Sequence, residues 1–73
     1  MRTIQVHLDE TLTKDQLIAL KKTLMSIPHI KEITMSPQDP HDFLVDFEET
    51  YNTPMAVMSE LHHQGLHPDI ISA

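Results

Sequence analysis

The chain contains no cysteine, and this absence limits what 73 residues can fold into. A domain of this size buries only about 60% of the surface that its unfolded chain exposes, so its core is thin. Disulfide bonds cannot reinforce that core, and thiolate metal ligands are excluded as well. The fold must therefore be held by aliphatic packing and by methionines. Thioethers can also bind Cu(I), but these methionines are interspersed with aliphatic residues and are predicted to fill the core. They are Met25, Met35, Met55 and Met58.

The first part of the chain predicts a strand and then a helix. Segment 3–8, TIQVHL, alternates apolar and polar residues, as a half-buried strand does. Thr13 and Gln16 have the spacing of a capping box, in which each side chain bonds to the other residue's backbone N–H. The helix that follows is predicted through segment 17–26, where apolar residues recur at helical spacing. Pro28 ends it, because the residue before a proline disfavours the helical conformation.

The middle of the chain predicts two further strands joined by a turn. Segment 29–36, HIKEITMS, is the second predicted strand, and segment 43–47, FLVDF, is the third. Between them, segment 37–42, PQDPHD, carries prolines and aspartates that favour a turn.

A second helix and a fourth strand complete the chain. Thr53 is predicted to cap the helix, with Pro54 at the first helical position, where proline is tolerated. Gly65, the only glycine, falls where the end of a helix needs a left-handed residue. Segment 67–72, HPDIIS, is the fourth predicted strand.

The predicted element order defines the fold class. It is strand, helix, strand, strand, helix, strand, with no linker or repeat between the elements. Right-handed crossovers then give an α+β ferredoxin-like βαββαβ sandwich, a four-stranded antiparallel sheet with two helices on one face. Residues 1–73 are predicted to form this single domain.

The net charge of the chain limits the kinds of molecule that it is expected to bind. Eleven acidic residues against five basic ones give a formal net charge of −6. Phosphate backbones and anionic membrane surfaces attract Lys/Arg patches, so we expect no nucleic acid and no membrane binding. No apolar run approaches the roughly 20 residues of a membrane span, and we expect a cytoplasmic protein with a protein partner, itself a monomer or weak homodimer.

Catalytic signals are missing from the sequence. There is no cysteine nucleophile, no nucleophile-elbow motif and no glycine-rich phosphate loop. We therefore expect that the protein is not an enzyme.

Histidine is the unusual component, with six residues in the chain. In the predicted topology, the connection after the first strand, the hairpin and the connection after the second helix meet at one end of the molecule. Five histidines lie at that end, and only His29 lies at the other. Imidazole and carboxylate donors suit divalent Zn, Ni or Cu(II). The candidate metal ligands are His67, His62, His63, His41, His7 and Asp9.

The same histidines have an ordinary structural explanation. A charged imidazole near the C-terminus of a helix is favourable by about 0.3–1 kcal/mol, and His7 is predicted to face the open side of the sheet as a polar surface residue. Gly65 lies between His63 and His67, so these two cannot form a helical ligand pair.

Several positions follow a pattern known from one protein family: Leu20, Thr23–Leu24, Ile27–Ile30, Glu60–Leu61 and Gly65–Leu66. On these residues the chain resembles the heavy-metal-associated domain of small copper chaperones and metal-transporting ATPases. The resemblance implies a ferredoxin-like fold and a metal-carrying role with a partner protein. The family's two metal-binding cysteines fall on Thr13 and Gln16, so the resemblance implies no Cu(I)-thiolate site in this chain.

Two functions remain open from the sequence. The first is metal binding and trafficking on a heavy-metal-associated scaffold, with His and carboxylate ligands for a divalent transition metal. The alternative is a protein-interaction or adaptor module that has lost the family's metal site and docks through its acidic loops or open sheet face. The face residues are Gln5, His7, Leu44 and Asp46.

Overall fold

The computed structural model describes residues 1–36, 39–48 and 52–72. Six elements follow one another in the predicted order. They are β1 (Arg2–Leu8), α1 (Lys14–Met25), β2 (Ile30–Ser36), β3 (Asp39–Phe47), α2 (Thr53–His63) and β4 (Pro68–Ser72).

The four strands form one antiparallel sheet in the order β2-β3-β1-β4. Alternate residues of β1 and β3 point to one side of the sheet and are buried together with residues of both helices in a single core. The predicted ferredoxin-like fold, with two helices on one face of a four-stranded sheet, is thereby confirmed. Its buried residues are Ile4, Val6, Leu8, Leu20, Leu24, Ile30, Ile33, Phe43, Val45, Phe47, Val57 and Leu61.

Helix α1 begins at the predicted capping box. The Gln16 backbone N–H donates to Thr13 Oγ1 at 3.1 Å, and the Thr13 backbone N–H donates to Gln16 Oε1 at 2.8 Å. The helix buries Leu20 and Leu24 and ends at Met25, with Ser26 as its C-cap.

The hairpin differs from its prediction. Pro37 and Gln38 of the predicted turn lie outside the described residues, but residues 39–42 belong to β3, which starts four residues earlier than expected. The reason is cross-strand pairing: Asp42 lies opposite His7 of β1, and Asp39 lies opposite Ser36 of β2. The turn propensity of Asp39 and Pro40 is outweighed by this pairing between strands.

The two ends of α2 give a mixed result. The predicted cap at Thr53 is wrong: the helix already begins at Thr53, which is buried, and Asn52 precedes it without a side-chain capping bond. At the other end, Gly65 has φ +80°. The Gly65 N–H donates to His62 O at 2.9 Å and the Leu66 N–H to Leu61 O at 3.0 Å, which is a Schellman motif.

The methionines depart from the core-filling prediction at three positions. Met35 packs against the core, whereas Met25 and Met55 are exposed and the half-buried Met58 lies outside the described core cluster. Met55 lies on the face of α2 opposite the buried Val57 and Leu61. An apolar side chain at this position therefore does not indicate burial. No helix in the described part of the chain is long and apolar enough to cross a membrane.

Candidate functional site

Three chain segments meet at one end of the sheet, as the topology predicts. The Asp9 backbone N–H donates to His67 O at 3.2 Å, which joins the connection after β1 to the connection before β4. His41, near the start of β3, donates from Nδ1 to Leu8 O at 2.9 Å. These bonds bring His7, His41 and His67 to the same end of the molecule.

His7 lies on the open face of the sheet between two carboxylates. Its Nδ1 donates to Asp42 Oδ1 at 2.5 Å, and its Nε2 lies 4.0 Å from Asp9 Oδ1. Gln5 Nε2 donates to the other oxygen of Asp42 at 3.1 Å. The hydrogen bond to Asp42 raises the pKa of His7, with smaller contributions from the nearby acids, and the same bond lowers the pKa of Asp42.

His41 has both ring nitrogens engaged. Besides the bond to Leu8, its Nε2 lies 3.3 Å from Thr11 Oγ1 and accepts from that hydroxyl. Its ring stacks on that of His7, with centroids 5.6 Å apart and planes inclined by 27°. His41 therefore packs beside His7 and supports it.

His67 is held by Glu10. Its backbone N–H donates to Glu10 Oε1 at 2.9 Å, and its Nδ1 donates to Glu10 Oε2 at 2.5 Å. The side-chain bond from His67 lowers the pKa of Glu10 and raises that of His67, to which the charge of Asp9 adds. The His67 side chain is nevertheless 73% exposed.

The other candidates are placed apart. His62 and His63 occupy the last turn of α2, where both are exposed and well placed for the helix dipole. Across residues 1–36, 39–48 and 52–72, no three His, Asp or Glu side chains are already arranged to hold a metal ion. The ligand set stays a prediction; of its members, the structure places His7 Nε2 4.0 Å from Asp9 Oδ1.

Two acids in this end, Asp42 and Glu10, were not among the sequence-derived ligands, yet each holds the Nδ1 of one histidine. Asp42 could have been found from the antiparallel register, which sets it opposite His7. The topology places Glu10 at this end, because it lies in the connection after β1. Its pairing with His67, 57 residues away, can be seen only in the tertiary structure.

These ion pairs predict how stability depends on pH. The pKa values of His7 and His67 are raised. Each protonated histidine therefore stabilises the fold fully below the ordinary histidine pKa of about 6.5, and this stabilisation is lost as the pH rises through the raised pKa. The pKa values of Asp42 and Glu10 are lowered, so their contributions are present above about pH 4.5 and are lost as the pH falls further. In urea unfolding, the free energy of unfolding should be highest between about pH 4.5 and 6.5.

The matched control for this prediction is a His7→Gln, His67→Gln double variant. Between pH 6 and 8, the free energy of unfolding of this variant should fall much less than that of the parent. An equally steep decrease in the variant would assign the effect to other groups.

Comparisons with known proteins show the fold alone. No family model and no curated protein matches the sequence. Among solved structures, a copper binding domain from HMA7, a P-type ATPase, is 17% identical with a TM-score of 0.84, covering 99% of this chain and 96% of its own. Oxidized MerP from Ralstonia metallidurans CH34 is 10% identical with a TM-score of 0.82, covering 97% of each chain.

A third structure, described as "Crosstalk between Cu(I) and Zn(II) homeostasis", is 11% identical with a TM-score of 0.80 over 97% of this chain and 100% of its own. The likeness covers nearly the whole chain. Thr13 and Gln16, on which the sequence resemblance places the two cysteines, are bonded to each other in a helix cap. This cysteine-free chain therefore has the same ferredoxin-like fold as these three structures.

Proposed function

We propose that the domain binds and passes on a divalent transition metal ion, Zn²⁺, Ni²⁺ or Cu²⁺, through imidazole and carboxylate donors at its histidine-rich end. The observation that carries this proposal is the His7–Asp9 pair. His7 Nε2 and Asp9 Oδ1 face each other at 4.0 Å while the other nitrogen of the same ring is held by Asp42. The proposal assigns binding and no catalysis.

The hydrogen bond at Nδ1 prepares His7 as a ligand. A neutral imidazole whose Nδ1–H is donated to a carboxylate carries its free lone pair on Nε2, and the carboxylate makes that nitrogen a better donor. His67 has the same arrangement, with Nδ1 on Glu10. Asp9 is near both histidines: its carboxylate lies 4.0 Å from His7 Nε2, its backbone N–H donates to His67 O, and its charge raises the pKa of both rings.

Little movement is needed to form the site. Nitrogen and oxygen donors lie about 2.0–2.2 Å from Zn²⁺, so two of them on a tetrahedral ion are roughly 3.4 Å apart. The observed 4.0 Å separation of His7 and Asp9 needs to shorten by only a few tenths of an ångström. The exposed His67 ring can supply the third donor from its Nε2 while its Nδ1 stays bonded to Glu10.

An ion held in this way keeps positions open to water or to a donor from another protein. Structural zinc sites are closed by four protein ligands, whereas open positions allow ligand exchange. The site is thus suited to transfer of the ion to a protein partner, and the hard and borderline donors suit divalent ions better than Cu(I).

The test is isothermal titration of the metal-free protein with Zn²⁺, Ni²⁺ and Cu²⁺ near neutral pH. At least one ion should bind with saturation at one equivalent and release protons, since a ligating histidine must be deprotonated. Binding that does not saturate, or that requires several equivalents for all three ions, would contradict the proposal.

A second function, docking of an acidic protein segment, is favoured by a groove along α1. The groove has a volume of about 580 Å³ and is mostly apolar, and Lys14 and Lys21 flank the exposed Ile18. Two of the chain's five basic residues thus border this apolar groove, which contrasts with the net charge of −6.

This second function predicts binding of a synthetic amphipathic peptide of leucine and glutamate. Amide NMR shifts should map to the groove, and a Lys14→Glu, Lys21→Glu double variant should abolish them by charge repulsion. Binding of the same strength to the double variant would contradict the docking function without affecting the metal proposal.

A further inference from the structure

The outer face of α2 carries three potential ligands that the core does not use. Met55, Met58 and His62 are separated by three and then four residues, so they form one stripe along the helix. Met55 is 60% exposed, Met58 is partly exposed and His62 is exposed. Val57 and Leu61 bury the opposite side of the helix, so the stripe is not needed for the core.

Helix geometry brings these side chains together. Residues three or four apart on a helix have Cβ atoms about 5–6 Å from each other. Long helical side chains also lean towards the N-terminus of the helix. With this lean, the His62 ring can reach over Met58, and the Met58 thioether over Met55.

The donor set differs in kind from that of the His7–Asp9 pair. Two thioethers and one imidazole are neutral and mostly soft, and soft donors select monovalent copper over divalent ions. From this juxtaposition we propose that Met55, Met58 and His62 form a separate site for a soft monovalent ion, Cu(I). This site is independent of the divalent-metal site proposed at His7 and Asp9.

The site is tested with Ag⁺, a soft monovalent ion that does not change its oxidation state in the experiment. NMR of the methionine methyl groups separates the candidate ligands from two internal controls, the exposed Met25 and Met1. The methyl signals of Met55 and Met58 should shift together and saturate at one equivalent of Ag⁺. Parallel, unsaturated shifts of all exposed methionines would overturn the proposal.

Matched variants make the test specific. Loss of a supporting hydrogen bond alone costs about 10–100-fold in metal affinity, so removal of a ligand should cost at least about tenfold. Met58→Leu, which keeps the side-chain volume, and His62→Gln should each show that loss. His63→Gln, one residue further round the helix, should leave Ag⁺ binding unchanged.

The two metal sites are distinguished in the same experiment. His7→Gln should not alter Ag⁺ binding at α2, whatever it does to divalent ions. Equal Ag⁺ affinity of the parent and the Met58→Leu and His62→Gln variants would overturn this inference and leave the divalent-metal proposal standing.

Discussion

Replacing Leu24 with alanine should lower the free energy of unfolding by about 2–5 kcal/mol, the usual cost of truncating a fully buried leucine. Leu24 is completely buried on α1 and belongs to the core between helix and sheet. At about 0.05–0.15 kcal/mol per residue, a domain of 73 residues has a total stability of roughly 4–11 kcal/mol. The variant should therefore lose a large fraction of its stability or unfold.

The control is Ile18→Ala on the same helix. Ile18 is 59% exposed, and alanine is the better helix former, so this change should alter stability by no more than about 0.5 kcal/mol. Urea unfolding followed by circular dichroism measures both variants. Similar losses for Leu24→Ala and Ile18→Ala would contradict the assignment of the core to the sheet side of α1.

The second large effect concerns divalent metal binding. His7→Gln keeps much of the side-chain size but removes the Nε2 donor and the bond from Nδ1 to Asp42. It should lower the Zn²⁺ affinity by at least about tenfold, because loss of a supporting bond alone costs about 10–100-fold. Asp42→Asn, which removes only the carboxylate that orients the ring, should fall within that 10–100-fold range.

Three histidine variants serve as controls for this prediction. His62→Gln and His63→Gln change exposed rings at the end of α2, and His29→Gln changes the histidine at the opposite end of the sheet, near Glu48. All three should bind Zn²⁺ as the parent does in isothermal titration. A loss at His29→Gln as large as that at His7→Gln would mean non-specific binding by surface imidazoles.

Local sequence signals predicted the elements whose causes are local. The Thr13–Gln16 capping box, the alternation in β1 and the left-handed Gly65 each depend on a few neighbouring residues, and each is present in the structure. The start of β3 was mispredicted, because Asp39 and Pro40 favour a turn in isolation while strand pairing decides their conformation. Composition likewise could not distinguish the half-buried Met35, which packs against the core, from the exposed Met55.

The candidate site was only partly predictable for a similar reason. Topology alone places His7, His41 and His67 at one end of the sheet, since it fixes which connections meet there. Topology does not say which acid each ring bonds, and the pairs His7–Asp42 and His67–Glu10 join residues 35 and 57 positions apart. Whether a ring faces a neighbour or solvent depends on rotamers that no local pattern encodes.

The most direct test of divalent-metal binding is imidazole ¹⁵N NMR of the parent protein with one equivalent of Zn²⁺. We expect the Nε2 signals of His7 and His67 to shift as ligands, and their Nδ1 signals to remain those of protonated nitrogens bonded to Asp42 and Glu10. His29, His62 and His63 should be unchanged. Small shifts distributed equally over all six histidines would contradict the account and favour the docking function.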